Sequence, residues 1–120
     1  MTLFELIKEY KNQVIICSRI NYTDKQSVDV NNTAVERMYG IVDTINSEFG
    51  RDGLREFAML LDIKDYNTNV WSAVHLLENM KHDHELEEKA LEIIKEAAKN
   101  KDVKGLGYRH WLKTYASKKT

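Results

Sequence analysis

The chain has 120 residues, of which 42% are hydrophobic and 31% are charged, and its formal net charge at pH 7 is −1. This composition is typical of a single globular domain covering residues 1–120, and it excludes a disordered or strongly basic chain. The absence of proline and the small number of glycines favour helices. The longest uncharged apolar run, residues 14–17, is too short to span a membrane, and a single cysteine, Cys17, fits a reducing compartment. We therefore expect a cytoplasmic protein with no membrane partner.

The low net charge hides an uneven distribution of charged residues. Residues 29–96 contain 15 acidic and 7 basic residues, a net charge of −8. The two ends, residues 1–28 and 97–120, together contain 4 acidic and 11 basic residues, a net charge of +7. The middle of the chain therefore suits a basic partner. The basic C-terminus suits an acidic partner, or it simply neutralises the middle.

The first predicted helix begins at Thr2, because Thr2 and Glu5 have the spacing of a capping box. The polar, aperiodic segment 21–32 predicts a loop. The side of the first helix that we expect to be buried contains Phe4, Ile7, Tyr10, Val14 and Cys17.

The second predicted helix runs from about residue 32 to residue 49, and Gly50 is a natural left-handed stop. Gly40 lies inside this helix at a cost of roughly 1 kcal/mol relative to alanine, which a close helix contact would explain. The third helix is predicted to begin with Asp52 as its N-cap. The apolar faces of these two helices contain Val35, Met38, Val42, Ile45 and Phe49, then Leu54, Phe57, Ala58 and Leu61.

Three further helices are predicted in the second half of the chain. They begin at residue 67 or 68, at Asp83 and at Val103, and the last one ends near Ser117. The sixth is expected to bury Leu106, Trp111, Leu112 and Tyr115. Because no clear strand alternation appears outside residues 27–31, the predicted fold class is all-α, with about six helices in antiparallel pairs.

Residues 59–80 resemble a HEAT-type repeat. In such a repeat the first helix ends in Leu-Leu and an acidic residue, the turn carries Asp or Asn, and the second helix opens with Val and a small residue. The matching residues here are Leu60, Leu61, Asp62, Asn67, Val70 and Ala73, whereas Trp71 stands where the repeat usually has arginine.

The resemblance extends over about residues 32–98, which are similar to a small uncharacterised bacterial family with a HEAT-like α-α superhelix. The wider pattern rests on Met38, Ile41, Gly50 and Arg51 together with the repeat residues. Small proteins of this build are often encoded beside polymorphic toxins, and some resemble immunity proteins. The resemblance therefore implies a HEAT-like α-α superhelix that binds a toxin. The family offers no catalytic residues that could be assigned to this chain.

Metal and catalytic chemistry find little support in the sequence. His75, His82 and His84 are seven and two residues apart, whereas helix-borne zinc ligands are usually four apart. No Ser-His-Asp signature, phosphate loop or paired-glutamate motif occurs. We expect no metal, no cofactor and no enzymatic activity.

The predicted binding surface surrounds the turn before the fourth helix. Tyr and Trp are common binding anchors, although Trp71 equally suits packing into the next helix pair. Acidic residues around this turn suit a basic nuclease. The predicted partner-binding residues are Asp62, Asp65, Tyr66, Asn69, Trp71, Glu78, His82 and Asp83.

The sequence thus leads to three functional hypotheses. The first is an immunity protein that neutralises a cognate bacterial toxin, a basic nuclease domain of contact-dependent inhibition or a similar toxin system, by occluding its active site. The second is a small nucleic-acid-binding module that uses Lys104, Arg109 and Lys113 of the basic C-terminal helix, in which basic and aromatic residues alternate. The third is a subunit or scaffold piece of a larger complex.

Overall fold

The computed structural model describes residues 1–119, and within them the chain is all-helical with no strand. This confirms the predicted all-α class. Five α-helices are present where about six were predicted, because the predicted second and third helices are one element that bends at Gly50. Two short 3-10 helices, Met59–Asp62 and Asp65–Asn67, connect the second helix to the third. The five helices are α1 Leu3–Ser18, α2 Lys25–Ala58, α3 Thr68–Asn79, α4 His84–Ala97 and α5 Val103–Lys119.

Helix α1 begins as predicted, and Tyr10, Val14 and Cys17 of its predicted buried side are buried. Thr2 Oγ1 accepts the Glu5 N–H at 3.1 Å, and the Glu5 carboxylate accepts the Thr2 N–H at 3.0 Å, which completes the capping box. The predicted burial of Phe4 is wrong, since its side chain is 76% exposed. The buried residues follow a spacing of four, four and three that leaves Phe4 outside the stripe: Leu6, Tyr10, Val14 and Cys17.

Helix α2 begins seven residues earlier than predicted. Asp24 is its N-cap and accepts the Gln26 N–H at 3.0 Å, so the predicted loop ends at this cap. The first turns carry mostly exposed residues, which explains why the sequence shows no apolar period there. The break expected at Gly50 is present, with φ of 51° and ψ of −126°, a conformation that strongly favours glycine.

The core lies between α1, α2 and α3, with α4 packed against α3. The Tyr10 ring meets the Phe57 ring edge-on, with 5.0 Å between the ring centroids. Helix α4 begins with Asp83, whose carboxylate accepts the Leu86 N–H at 2.9 Å, as the N-cap prediction required. The side chains with no more than 1% exposure include Tyr10, Val14, Met38, Ile41, Val42, Ile45, Phe57, Leu76 and Ile94.

Helix α5 lies against α4 and is held by polar as well as apolar contacts. The Arg109 guanidinium donates from Nη1 to the carbonyls of Ala98 and Asn100, at 2.6 Å and 2.9 Å, and so caps the end of α4. The predicted burial of Leu106 is wrong, because its side chain is 60% exposed. The inward face is instead half-buried and mostly aromatic, and contains Tyr108, Trp111, Leu112 and Tyr115.

None of the helices in residues 1–119 is long and apolar enough to cross a membrane.

Candidate functional site

The turn before α3 is fixed by its own hydrogen bonds. Tyr66 and Asn67 have positive φ angles of 57° and 61°, a left-handed conformation that is uncommon outside glycine. Thr68 Oγ1 donates to the Asp65 carbonyl at 2.7 Å, and the Asn69 N–H donates to the Ile63 carbonyl at 2.7 Å. Helix α3 therefore starts at a defined angle, which sets the direction of its side chains.

One side of α3 runs from the edge of the core out to the surface. Trp71, His75 and Glu78 are four and three residues apart, so they share this side of the helix. Trp71 is half-buried, His75 is buried and Glu78 is exposed. Residues of α2 and α5 lie on either side of this face and enclose two adjoining depressions.

The first depression is an aromatic cleft of about 520 Å³. Both tryptophans of the chain and four of its six tyrosines line it. Among the described lining residues, Lys104 is the only lysine or arginine and none is acidic. Cys17 also borders the cleft, but burial raises the pKa of its thiol and so disfavours a reactive thiolate. The aromatic lining residues are Tyr22, Tyr39, Tyr66, Trp71, Tyr108 and Trp111.

His75 lies at the floor of the aromatic cleft. The His75 Nδ1 and the Tyr10 hydroxyl are 2.8 Å apart, and both side chains are buried. Burial lowers the pKa of His75 to about 4 and raises the pKa of Tyr10 well above its usual range, so both are neutral at pH 7. The His75 ring also lies 4.5 Å from the Tyr39 ring and 5.8 Å from the Trp71 ring, measured between centroids.

The second depression is an acidic recess that shares Tyr39 with the cleft. The Tyr39 hydroxyl donates to Glu78 Oε1 at 3.0 Å, and burial together with this carboxylate raises the pKa of Tyr39 to about 12. The Tyr115 hydroxyl donates to Glu87 Oε2 at 3.1 Å. The recess is lined by Tyr39, Leu77, Glu78, Asn79, His82, Glu87, Tyr115 and Lys118.

Four of the eight predicted binding residues line these depressions. Tyr66 and Trp71 line the aromatic cleft, and Glu78 and His82 line the acidic recess. The half-buried His82 has Nδ1 2.8 Å from the Met80 carbonyl and Nε2 3.4 Å from Glu87.

The other four predicted residues have structural partners or lie within the turn. Asp62 forms an ion pair of 2.9 Å with Lys89 of α4, and Asp83 caps α4. Asp65 and Asn69 hold the turn through their backbone groups. None of the four lines the cleft or the recess.

Sequence reasoning missed two features of the surface. Tyr39 joins the cleft to the recess, yet nothing in the sequence distinguishes it from the other aromatic residues. The second feature is an apolar groove of about 440 Å³ along α1, where Phe4 is 76% exposed and Met59 is 61% exposed. A phenylalanine placed just off the buried stripe is the signal that would have revealed it.

The histidines lie in different surroundings. His75 contacts Tyr10, His82 contacts Glu87, and His84 forms an exposed ion pair with Glu88 at 3.0 Å. In the described part of the chain, no three His, Cys, Asp or Glu side chains are grouped so that they could hold a metal ion.

Comparison with protein-family models, curated proteins and solved structures finds no match to this chain.

Proposed function

We propose that the protein is an immunity protein that neutralises a cognate bacterial toxin, a basic nuclease domain, by covering its active site. The observation that carries the proposal is the acidic recess beside the aromatic cleft. The carboxylates of Glu78 and Glu87 border the recess together with the hydroxyls of Tyr39 and Tyr115, and the two carboxylates outnumber the one lysine of its described lining, Lys118. A nuclease needs lysine or arginine side chains to hold phosphates, and such a side chain suits this recess through charge-assisted hydrogen bonds.

The aromatic anchor of this interface is Tyr66 rather than Trp71. Tyr66 is 55% exposed at the edge of the cleft, whereas Trp71 is half-buried inside it. Tyrosine is a frequent hot-spot residue because it combines a large apolar ring with a polar hydroxyl. Glu78 and Tyr66 together therefore offer one charged and one aromatic contact on the same side of the molecule.

We further propose that the helices follow a HEAT-like α-α arrangement. This is supported by α1, which packs along α2, and by α3, which packs along α4 after a link of only four residues, 80–83. Such a short link between packed helices requires them to run antiparallel. In this arrangement α5 is the unpaired terminal helix.

The experiment is capture of the partner from a nuclease-treated extract of the native host, followed by reconstitution. A purified partner that degrades nucleic acid should lose this activity at a one-to-one ratio with the protein. Glu78→Lys combined with Tyr66→Ala should weaken inhibition by more than about tenfold. Glu48→Lys is the matched control, because Glu48 is an exposed carboxylate of α2 outside both depressions.

Two results would refute this proposal. The first is a stoichiometric partner that has no toxic or nuclease activity. The second is full inhibition by the Glu78→Lys, Tyr66→Ala protein, since the toxin would then be bound elsewhere.

A second candidate function is that of a subunit in a larger complex, and the apolar groove of α1 favours it. Phe4 and Met59 expose large apolar side chains next to Leu3 and Ile7. Contiguous apolar surface of this kind is common at protein interfaces. Phe4→Ser with Met59→Ser should then release partners that the Glu78→Lys, Tyr66→Ala protein retains.

Nucleic-acid binding through α5 has weaker support. Lys104 and Lys113 are exposed, but Arg109 is engaged with the carbonyls at the end of α4. The Trp111 and Tyr115 rings stack on each other 5.0 Å apart, and both are half-buried. Salt-sensitive binding of nucleic acid that disappears when Lys104 and Lys113 are neutralised would favour this function instead.

A further inference from the structure

We propose that the aromatic cleft binds a small planar aromatic molecule that carries one anionic group. The cleft adjoins the acidic recess at Tyr39, but the proposal does not depend on the toxin partner. A volume of about 520 Å³ is within the range that encloses small ligands, roughly 300–1,000 Å³. The argument rests on the rings that line the cleft, the donor at its floor and the charge at its rim.

The lining favours a flat ring. Helix α3 contributes Trp71 and His75, α5 contributes Tyr108 and Trp111, and α2 contributes Tyr39. The chain has only two tryptophans, and neither lies among the fully buried residues of the core. Flat faces of this kind bind other aromatic rings by stacking and edge contacts. Both tryptophans therefore border the place where a planar ligand would lie.

The floor of the cleft offers a hydrogen-bond donor. The Tyr10 hydroxyl has no other acceptor among the described residues, so its proton is satisfied when it donates to His75 Nδ1. The neutral imidazole then carries its proton on Nε2. No buried side-chain nitrogen of the described residues lacks a partner, and His75 lines the cleft, so Nε2 lies at the cleft surface. A donor in this position favours a ligand with an acceptor oxygen.

The charge of the lining favours an anion over a cation. The chain contains 19 aspartates and glutamates, yet none of the described cleft residues is acidic, and Lys104 carries a positive charge at the rim. Aromatic rings alone also attract cations, as in sites for quaternary ammonium groups. Here Lys104 repels a cation, and no carboxylate in the lining compensates for that repulsion. The Nε2–H of His75 also favours an anionic ligand, because it is a hydrogen-bond donor.

The test compares two ligands with the same ring and opposite charge, naphthoate and naphthylmethylammonium, by titration calorimetry. Naphthoate should bind one-to-one with a Kd on the order of 100 µM or tighter. It should bind at least about tenfold more tightly than the ammonium ligand, and tryptophan emission should change with the same midpoint.

Three variants locate the ligand. Lys104→Gln should weaken naphthoate binding about fivefold, whereas Lys113→Gln should leave it unchanged, because Lys113 is exposed on the same helix but outside the cleft. Trp71→Ala should weaken it by roughly tenfold. Since Trp71→Ala also removes packing, its circular dichroism and thermal transition are measured alongside, and the conclusion rests on the two exposed lysines.

The proposal is overturned by any of three results. These are no naphthoate binding at millimolar concentration, equal or tighter binding of the ammonium ligand, and equal effects of the Lys104→Gln and Lys113→Gln substitutions.

Discussion

Helices α1 to α3 and helix α5 are held in place by different kinds of contact. The first three contribute side chains with essentially no exposure, such as Val14, Met38 and Leu76. Across residues 103–118, the only fully buried residue of α5 is Gly105, and its aromatic side chains are half-buried. Hydrogen bonds from Arg109 to the carbonyls of Ala98 and Asn100, and from Tyr115 to Glu87, supplement this partial packing.

This difference places the aromatic cleft at a boundary between strongly and weakly packed structure. Trp71 and His75 belong to a helix anchored in the core, whereas Tyr108 and Trp111 belong to the helix with few buried contacts. Segments with few buried apolar contacts open locally at a lower free energy than the core does. We therefore expect α5 to open without global unfolding and so to control access to the cleft.

Truncation of a leucine should cost much more stability in the first region than in α5. Leu76 of α3 is completely buried, so Leu76→Ala should lower the free energy of unfolding by about 3 kcal/mol. Leu106 of α5 is 60% exposed, so Leu106→Ala should change it by less than about 0.5 kcal/mol. Urea titration of both variants measures the two values. Similar losses would mean that α5 is as tightly packed as α3, which would contradict the comparison.

The pH dependence of stability should identify His75 as part of the strongly packed region. Burial lowers the pKa of His75 from 6.5 to about 4. The unfolded chain therefore takes up a proton below about pH 6.5 while the folded protein does not. The stability from neutral His75 is fully present above that pH, and it is lost as the pH falls toward 4.

The unfolding free energy should fall by about 1 kcal/mol per pH unit in this interval. In His75→Gln this slope should disappear, whereas His84→Gln should retain it, because the side chain of His84 is 81% exposed. Urea titrations at several pH values provide the measurement. Parallel pH profiles for the wild-type and His75→Gln proteins would show that His75 titrates normally in the folded state.

Two glycines of α5 test how this helix is attached. A Cβ atom at Gly105 would clash with the Asn100 carbonyl oxygen, whereas a Cβ at Gly107 meets nothing within 4 Å. Gly105→Ala should therefore displace α5 and cost more than about 1 kcal/mol. Gly107→Ala should stabilise the helix by about 0.5–1 kcal/mol. In Gly105→Ala, but not in Gly107→Ala, backbone hydrogen exchange should become faster in residues 103–118. Faster exchange throughout α1 to α3 as well would refute independent opening of α5.

The sequence predicted those features of the fold that depend on local signals. The Thr2 and Asp83 caps, the break at Gly50 and the start of α3 near Thr68 all follow from a few neighbouring residues. The early start of α2 was missed because its first turns are solvated and have no apolar period.

The candidate site was less accessible to sequence reasoning, because three helices that are distant in the chain build it. Trp71 and Glu78 could be placed on one side of α3 from their spacing alone. Tyr39 of α2 contacts both the His75 ring and the Glu78 carboxylate. These contacts depend on tertiary packing, which spacing in the sequence does not show. The same is true of Trp111, whose helical spacing fits a core position as well as a cleft wall.

A small effect is also expected at Gly40, in the well-packed part of the molecule. The close helix contact suggested for this glycine is absent, since a Cβ atom there would meet nothing within 4 Å. Gly40 lies in regular helix and is exposed, so Gly40→Ala should raise the unfolding free energy by about 0.5–1 kcal/mol. Gly50→Ala is the matched control and should lower it by about 1 kcal/mol, because its φ of 51° strains any other residue.

Thermal unfolding of both variants, with urea titration to obtain free energies, distinguishes the two glycines of α2. Gly40→Ala acts by reducing the conformational freedom of the unfolded chain, so it should leave naphthoate binding in the cleft unchanged. Destabilisation by Gly40→Ala would mean that this part of α2 touches another element after all. The strongly packed region would then include a surface of α2 that the structure shows as exposed.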